Sequence, residues 1–381
     1  MDKVLVFLNE LIENSTYNKP LWNVEKIVNN GEANWNYIDG CMLKAIMEVY
    51  YVTEDEKYLD FVRNFIDYYV DDEGNIVGYK EEDYNCDHIN EGKVLFMLNA
   101  IHKRDKYKKA INKLYSQLKN QPRTKSGNFC HKLIYPNQIW LDGLYMVQPF
   151  YMEYEMLFNK KENYKDIFNQ FKRAYYLMKD EKTGLLYHGY DESRQQPWAN
   201  KETGLSKNFW TRSIGWFVMA LVDTIEKLDE MFFYEREELI KYLKEISDAL
   251  FKVMSENYLF YQVTNMGGKK GNYLETSGSC AISYGFMKGA RLGYLPSFYF
   301  ETGERIYNSV LNEKLDMETG FNLKDICLVA GLGGMAGKGN YKKRDGTYEY
   351  YISEPVVNND GKGVAPFLFA YSEIIRKQRG K

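Results

Sequence analysis

The chain has 381 residues, of which 45% are hydrophobic and 27% charged, a composition that supplies a full apolar core and excludes disordered and fibrous architectures. Its 50 Lys and Arg against 53 Asp and Glu leave a formal net charge of −3, so no global field draws in nucleic acid or an acidic membrane and neither is expected as a partner. Any anionic ligand must then be met by local charges.

Taken in chain order, apolar spacing predicts helices almost throughout. The first covers residues 4–12. Residues 1–10 are too polar for a signal peptide, and no stretch approaches about 18 apolar residues, so the expected compartment is the cytoplasm. Segment 88–101 runs Val94-Leu95-Phe96-Met97-Leu98 without a polar face, the pattern of a helix buried on several sides. The next places Tyr107, Ala110, Ile111, Leu114, Tyr115 and Leu118 at steps of three and four, a one-sided outer helix. The contrast returns between 214–222, apolar all round, and Leu239, Leu243, Ile246, Leu250 and Val253 on one stripe. A last helix at 366–375 is expected to pair with the first. Each inner helix is read as introduced by a glycine, namely Gly40, Gly92, Gly143, Gly215, Gly285 and Gly363. Six inner and six outer helices predict an all-α (α/α)6 barrel formed by residues 1–381 as one domain, with stacked helical hairpins as the alternative. The starts of the inner helices would converge on one end of such a barrel, around a ligand cavity.

The 16% aromatic content, with 34 Tyr and 6 Trp, offers flat apolar faces with polar tips, suited to sugar rings as well as to packing. Cys41, Cys86, Cys130, Cys280 and Cys327 form no C-x-x-C pair and read as reduced thiols. The histidines are His88, His102, His131 and His188, without metal-ligand spacing, so no metal is expected. Asp87 and Asp142 each head an apolar helix, where a plain N-cap role competes with catalysis. Trp140, Tyr145 and Met146 around Asp142 would desolvate it and favour a protonated form able to act as a general acid. Further on come Tyr187-His188-Gly189-Tyr190-Asp191, Trp198 and Phe209-Trp210-Thr211-Arg212-Ser213-Ile214-Gly215-Trp216. Arg212 and Trp216, four apart, would share a helix face and could clamp an acidic sugar, or merely tie helices together as a cation–π pair. Residues 325–337 resemble a strand entering a dinucleotide loop, but no βαβ pattern surrounds them. A glycine-rich loop over the barrel mouth, 331–346, is the preferred reading.

The segments Trp-Leu-Asp-Gly-Leu-Tyr-Met at 140–146, His-Gly-Tyr-Asp at 188–191, the run at 209–216 and Gly-Thr-Tyr-Glu-Tyr-Tyr-Ile-Ser-Glu-Pro at 346–355 together resemble the unsaturated rhamnogalacturonyl hydrolases, glycoside hydrolase family 105, related to the unsaturated glucuronyl hydrolases of family 88. The resemblance implies an (α/α)6 barrel that removes a 4,5-unsaturated galacturonic acid from the non-reducing end of lyase-generated pectin fragments. It implies Asp142 as the catalytic acid, Asp87 as a second carboxylate at the reacting ring, and His188, Trp210, Arg212, Trp216 and Met146 as substrate-binding residues. His131 and Lys132 match a further pair on the rim, and Tyr37 and Gly40 a further substrate contact. Tyr190 stands where tryptophan is common. No cofactor is implied, and the partner is an unsaturated uronate oligosaccharide bound by a monomer or weak homo-oligomer. Competing readings are an unsaturated glucuronyl hydrolase, an ordinary two-carboxylate glycosidase using Asp87 with Asp142, an epimerase using His188 with His131, and a non-catalytic sugar-binding protein.

Overall fold

The computed structural model describes residues 2–32, 34–334 and 340–380. Among these, helices α1 (Lys3–Glu13), α2 (Tyr37–Thr53), α3 (Glu56–Tyr69), α4 (Gly92–His102), α5 (Asp105–Asn120) and α6 (Leu141–Leu157) make the first half of a ring. The second half is α7 (Tyr164–Met178), α8 (Thr211–Lys227), α9 (Phe233–Phe251), α10 (Thr276–Arg291), α11 (Phe298–Glu313) and α12 (Gly361–Gln378). The even-numbered helices pack each on the next, and α12 returns onto α2, which closes an inner ring. Odd-numbered helices lie outside: α3, α5, α7, α9 and α11 each pack on the inner helix before them. The first helix takes the remaining outer place, where Asn9 accepts from Tyr58 of α3 and Asp2 accepts from Tyr371 of α12. The protein is an (α/α)6 barrel.

Burial follows the sequence pattern. Tyr107, Ala110, Ile111, Leu114, Tyr115 and Leu118 of α5 are all buried on one stripe, while fifteen consecutive residues of α8, Thr211 to Ile225, are buried on every side. Local chemistry sets the ends: Asp2, Asn36, Asp55, Glu275 and Asp360 accept backbone N–H bonds at the starts of α1, α2, α3, α10 and α12. Val253, assigned from sequence to the α9 stripe, lies two residues beyond the helix end.

Gly92 opens α4, and Gly40, Gly143 and Gly363 lie in the first turns of α2, α6 and α12, but Gly215 lies one turn inside α8 and Gly285 deep within α10. At Gly285 a Cβ would come 2.2 Å from Val218 Cγ1 of α8, so the expected glycine start is corrected there: the helix is started by the Glu275 cap. Gly40 lies in the first turn of α2, and a Cβ there would sit 2.5 Å from the Cα of Glu91. At the far end of the barrel the floor is ionic, with Asp223 held by Lys44 at 2.6 Å and Lys288 at 2.7 Å.

Candidate active site

Two short strands bring the central pair together. Strand β1 (Gln138–Trp140) runs antiparallel to β2 (Gly189–Asp191), with Trp140 opposite Gly189. Asp142 follows β1 in the first turn of α6 and His188 precedes β2, so this register sets His188 Nε2 3.4 Å from Asp142 Oδ2. The α6 cap position is Trp140, which makes no side-chain cap, and Asp87 likewise follows the cap position of its own turn, Asp87–Asn90. Neither aspartate is an N-cap, and both are left for other partners.

The two carboxylates meet opposite environments. Asp87 accepts from Lys132 Nζ at 2.6 Å and pairs with His131 Nε2 at 3.0 Å. Burial alone would raise its pKa, but Lys132 and His131 outweigh that and hold it well below the ordinary carboxylate range. Lys132 responds in kind: burial works against its charge, yet the Asp87 carboxylate pushes its pKa up. Glycine at 143 permits this cluster, since a Cβ there would lie 2.9 Å from His131 Nδ1. Asp142 Oδ2, by contrast, is buried with no hydrogen-bond partner among the described residues, and so is His188 Nε2. On its other side His188 Nδ1 lies 2.8 Å from the Tyr351 hydroxyl.

A narrow cavity of about 140 Å³ opens beside these groups, and ten of the sequence-derived residues line it: Tyr37, Asp87, His131, Lys132, Asp142, Met146, His188, Trp210, Arg212 and Trp216. Gly40 does not line it; it lies in the tight contact of α2 with Glu91. Tyr145, expected to desolvate Asp142, does not line it either, because its position on α6 turns its ring to stack on Trp216 at 5.0 Å. One wall is a stack of His131, Trp140 and Tyr135, with centroids 5.4 and 4.6 Å apart. On another, Arg212 lies 4.6 Å over Trp210 rather than against Trp216, because its guanidinium donates to the carbonyls of Cys327 and Leu328. Arg212 is 2% exposed, its Nε has no partner, and no carboxylate among the described residues forms an ion pair with it. A buried cation of this kind suits an incoming carboxylate.

Sequence reasoning missed Glu25, Tyr135, Val329 and Ala330 as lining residues, and placed Arg344 only within a loop over the mouth. Glu25, whose burial penalty is outweighed by its ion pair with Lys362 at 3.1 Å, lies in the short helix Val24–Val28, which no motif marks. Val329, Ala330 and Gly331 belong to the segment resembling a dinucleotide loop; its Ile326–Cys327 strand pairs antiparallel with Val356–Val357, not within a βαβ unit. Of the glycine-rich loop 331–346, Gly331 and Arg344 face the cavity and Asn340–Lys343 make one helical turn, while 335–339 lie outside the described residues.

An (α/α)6 barrel whose end cavity presents one aspartate held by Lys132 and His131, a second facing only His188, and stacked aromatic rings fits a sugar-processing enzyme. Residues 12–378 match the model of Glycosyl Hydrolase Family 88. A solved family 105 glycoside hydrolase from C. acetobutylicum ATCC 824 is 45% identical, with a TM-score of 0.88 over 98% of this chain and 99% of that one. Protein Atu3128 of Agrobacterium fabrum is 38% identical over 60% of this chain and 97% of its own. The unsaturated rhamnogalacturonyl hydrolase YesR of Bacillus subtilis is 23% identical over 68% of this chain and 72% of its own. The chain matches the family 88 model over nearly its whole length and belongs to the related glycoside hydrolase family 105. It is a glycoside hydrolase of the class that acts on unsaturated uronyl saccharides.

Proposed function

We propose that this protein is an unsaturated rhamnogalacturonyl hydrolase, releasing 4,5-unsaturated galacturonic acid from pectin-derived oligosaccharides. The observation that carries the reading is the division between the carboxylates: Asp87 is committed to Lys132 and His131, while Asp142 has only His188 Nε2, 3.4 Å from an Oδ2 that makes no hydrogen bond among the described residues. An ordinary glycosidase needs both carboxylates for acid and nucleophile or base, and an epimerase needs free histidines, whereas both His131 and His188 face carboxylates. Hydration of an enol ether needs one acid. Asp142 gives its proton to C4, and the C4=C5 electron pair forms the new C–H bond, leaving a cation at C5 shared with the ring oxygen. Water adds at C5 and returns a proton to the Asp142 carboxylate. The C5 hemiketal opens to a ketone, and the hemiacetal left at C1 collapses to an aldehyde and releases the aglycone alcohol. Arg212 meets the uronate carboxylate, and Asp87 orients the ring or the water. The YesR relationship supports the rhamnogalacturonyl substrate. Five buried free cysteines support a reducing, cytoplasmic setting, in which residues 1–381 act as one catalytic domain, monomeric or weakly self-associating, without a cofactor.

The test follows ultraviolet absorbance of the enol ether when the protein meets an unsaturated galacturonyl-rhamnose disaccharide. The wild type is expected to abolish the absorbance, and Asp142→Asn to lose at least about 10²-fold in kcat with its melting temperature retained. Turnover of unsaturated glucuronyl substrates alone would overturn the rhamnogalacturonyl assignment, and absence of turnover on both would overturn hydration itself.

A further inference from the structure

We infer that Tyr351 is a positioning residue that fixes the tautomer of His188 and, through it, decides which oxygen of Asp142 carries the reacting proton. The inference rests on Asp142 as the proton donor. Tyr351 and His188 are both fully buried, with the phenol oxygen 2.8 Å from Nδ1. Burial pushes the phenol pKa well above its usual value, so Tyr351 keeps its proton. Among the described residues its hydroxyl makes no other hydrogen bond, so that proton is donated to Nδ1.

A neutral imidazole that accepts at Nδ1 carries its own hydrogen on Nε2. Nε2 is the atom 3.4 Å from Asp142 Oδ2, and neither has another partner among the described residues. The N–H therefore faces Oδ2 and leaves Oδ1 as the seat of the proton that goes to C4. Once the proton has left, the same N–H stabilises the carboxylate by a charge-assisted hydrogen bond. With the opposite tautomer a lone pair on Nε2 would face Oδ2, and the carboxyl proton would be drawn there as Oδ2–H···Nε2, away from the substrate. Tyr351 is itself held from a different direction: it lies in the short helix Tyr348–Ser353, which Thr347 caps, and its carbonyl accepts from Gln262 Nε2 at 3.1 Å. Gln262 also accepts from Trp210 Nε1 at 2.9 Å, so the tyrosine and the aromatic wall share one anchor.

The experiment reads the histidine ring nitrogens by ¹⁵N NMR in the ligand-free full-length protein and in Tyr351→Phe, with His188→Gln to assign the resonance. The wild type is expected to show His188 with hydrogen on Nε2, and the variant to shift toward the Nδ1–H form. In parallel kcat should fall about 100-fold, inside the roughly 10⁴-fold that a wrong tautomer can cost, with KM within about twofold. An Nδ1–H ring in the wild type overturns the inference without any variant needing to fold, and so does an unmoved tautomer in Tyr351→Phe. A fall in kcat/KM carried by KM alone does the same. Because the spectrum needs no substrate, an active Asp142→Asn variant would sink the proton-donor role, and with it the choice of oxygen, while leaving the tautomer assignment separately readable.

Discussion

Replacing Asp87 by Asn removes the carboxylate that joins Lys132 at 2.6 Å and His131 at 3.0 Å, and leaves both without their anion. Loss of one partner from a buried ion pair costs about 3–5 kcal/mol. The Lys132 side chain is 29% exposed, so water restores part of its solvation and the lower end, about 3 kcal/mol, applies. An unfolding entropy of about 2.1 cal/mol/K per residue makes this a fall of roughly 4 °C in Tm for a chain of 381 residues. The sign with pH follows from the direction of the shift. The folded pKa of Asp87 is depressed, so its stabilisation is complete above the unfolded value of about 3.9 and is lost as pH falls below that toward the folded value. Calorimetric melting of wild type and Asp87→Asn should therefore show a constant gap from about pH 8 to about pH 5 that narrows below about pH 4. An unchanged Tm at neutral pH, or a gap that widens on acidification, would refute the reasoning.

Gly40→Ala should lower stability by about 3 kcal/mol, the upper part of the overpacking range, because the new methyl meets the Glu91 backbone rather than a movable side chain. Thermal melting reads the loss, and KM should stay unchanged because Gly40 does not line the cavity; a selective rise in KM would instead show a substrate contact. Lys93 is 3% exposed, and burial brings its ammonium down to about 7, while it donates to the Tyr145 carbonyl. Its folded pKa lies below the unfolded value of about 10.4, so the cost of burying the charge is full below about pH 7 and is relieved as pH rises toward the unfolded value. Lys93→Met should accordingly raise Tm at about pH 6 more than at about pH 9, and equal shifts at both would rule this out.

The family relationship and most of the candidate site were legible because they reside in short contiguous runs. Residues 140–146 and 209–216 carry Asp142, Met146, Trp210, Arg212 and Trp216 at the starts of inner helices, and helix starts share one end of the barrel whatever the details of packing. Glu25 and Tyr135 were not legible, because they reach the cavity from connecting segments whose paths depend on distant contacts, and Arg344 was legible only as part of a loop over the mouth. Gly40 shows the converse: in the sequence a glycine at a helix head could serve a ligand or a neighbouring helix, and only the 2.5 Å approach to Glu91 reveals the neighbour.

The barrel itself was determined by local information, since apolar periodicity of three and four sorts helices into inner and outer and twelve alternating helices have few ways to bury both kinds of surface. The surroundings of the two aspartates were decided only by tertiary structure. Both head apolar helices in the sequence, yet Lys132 and His131 fold onto Asp87, while the pairing of Trp140 with Gly189 brings a histidine 46 residues downstream, between 142 and 188, up to Asp142. A charge takes its protonation state from what surrounds it in space, and those neighbours are set by strand register and helix packing rather than by the residues beside it in the chain.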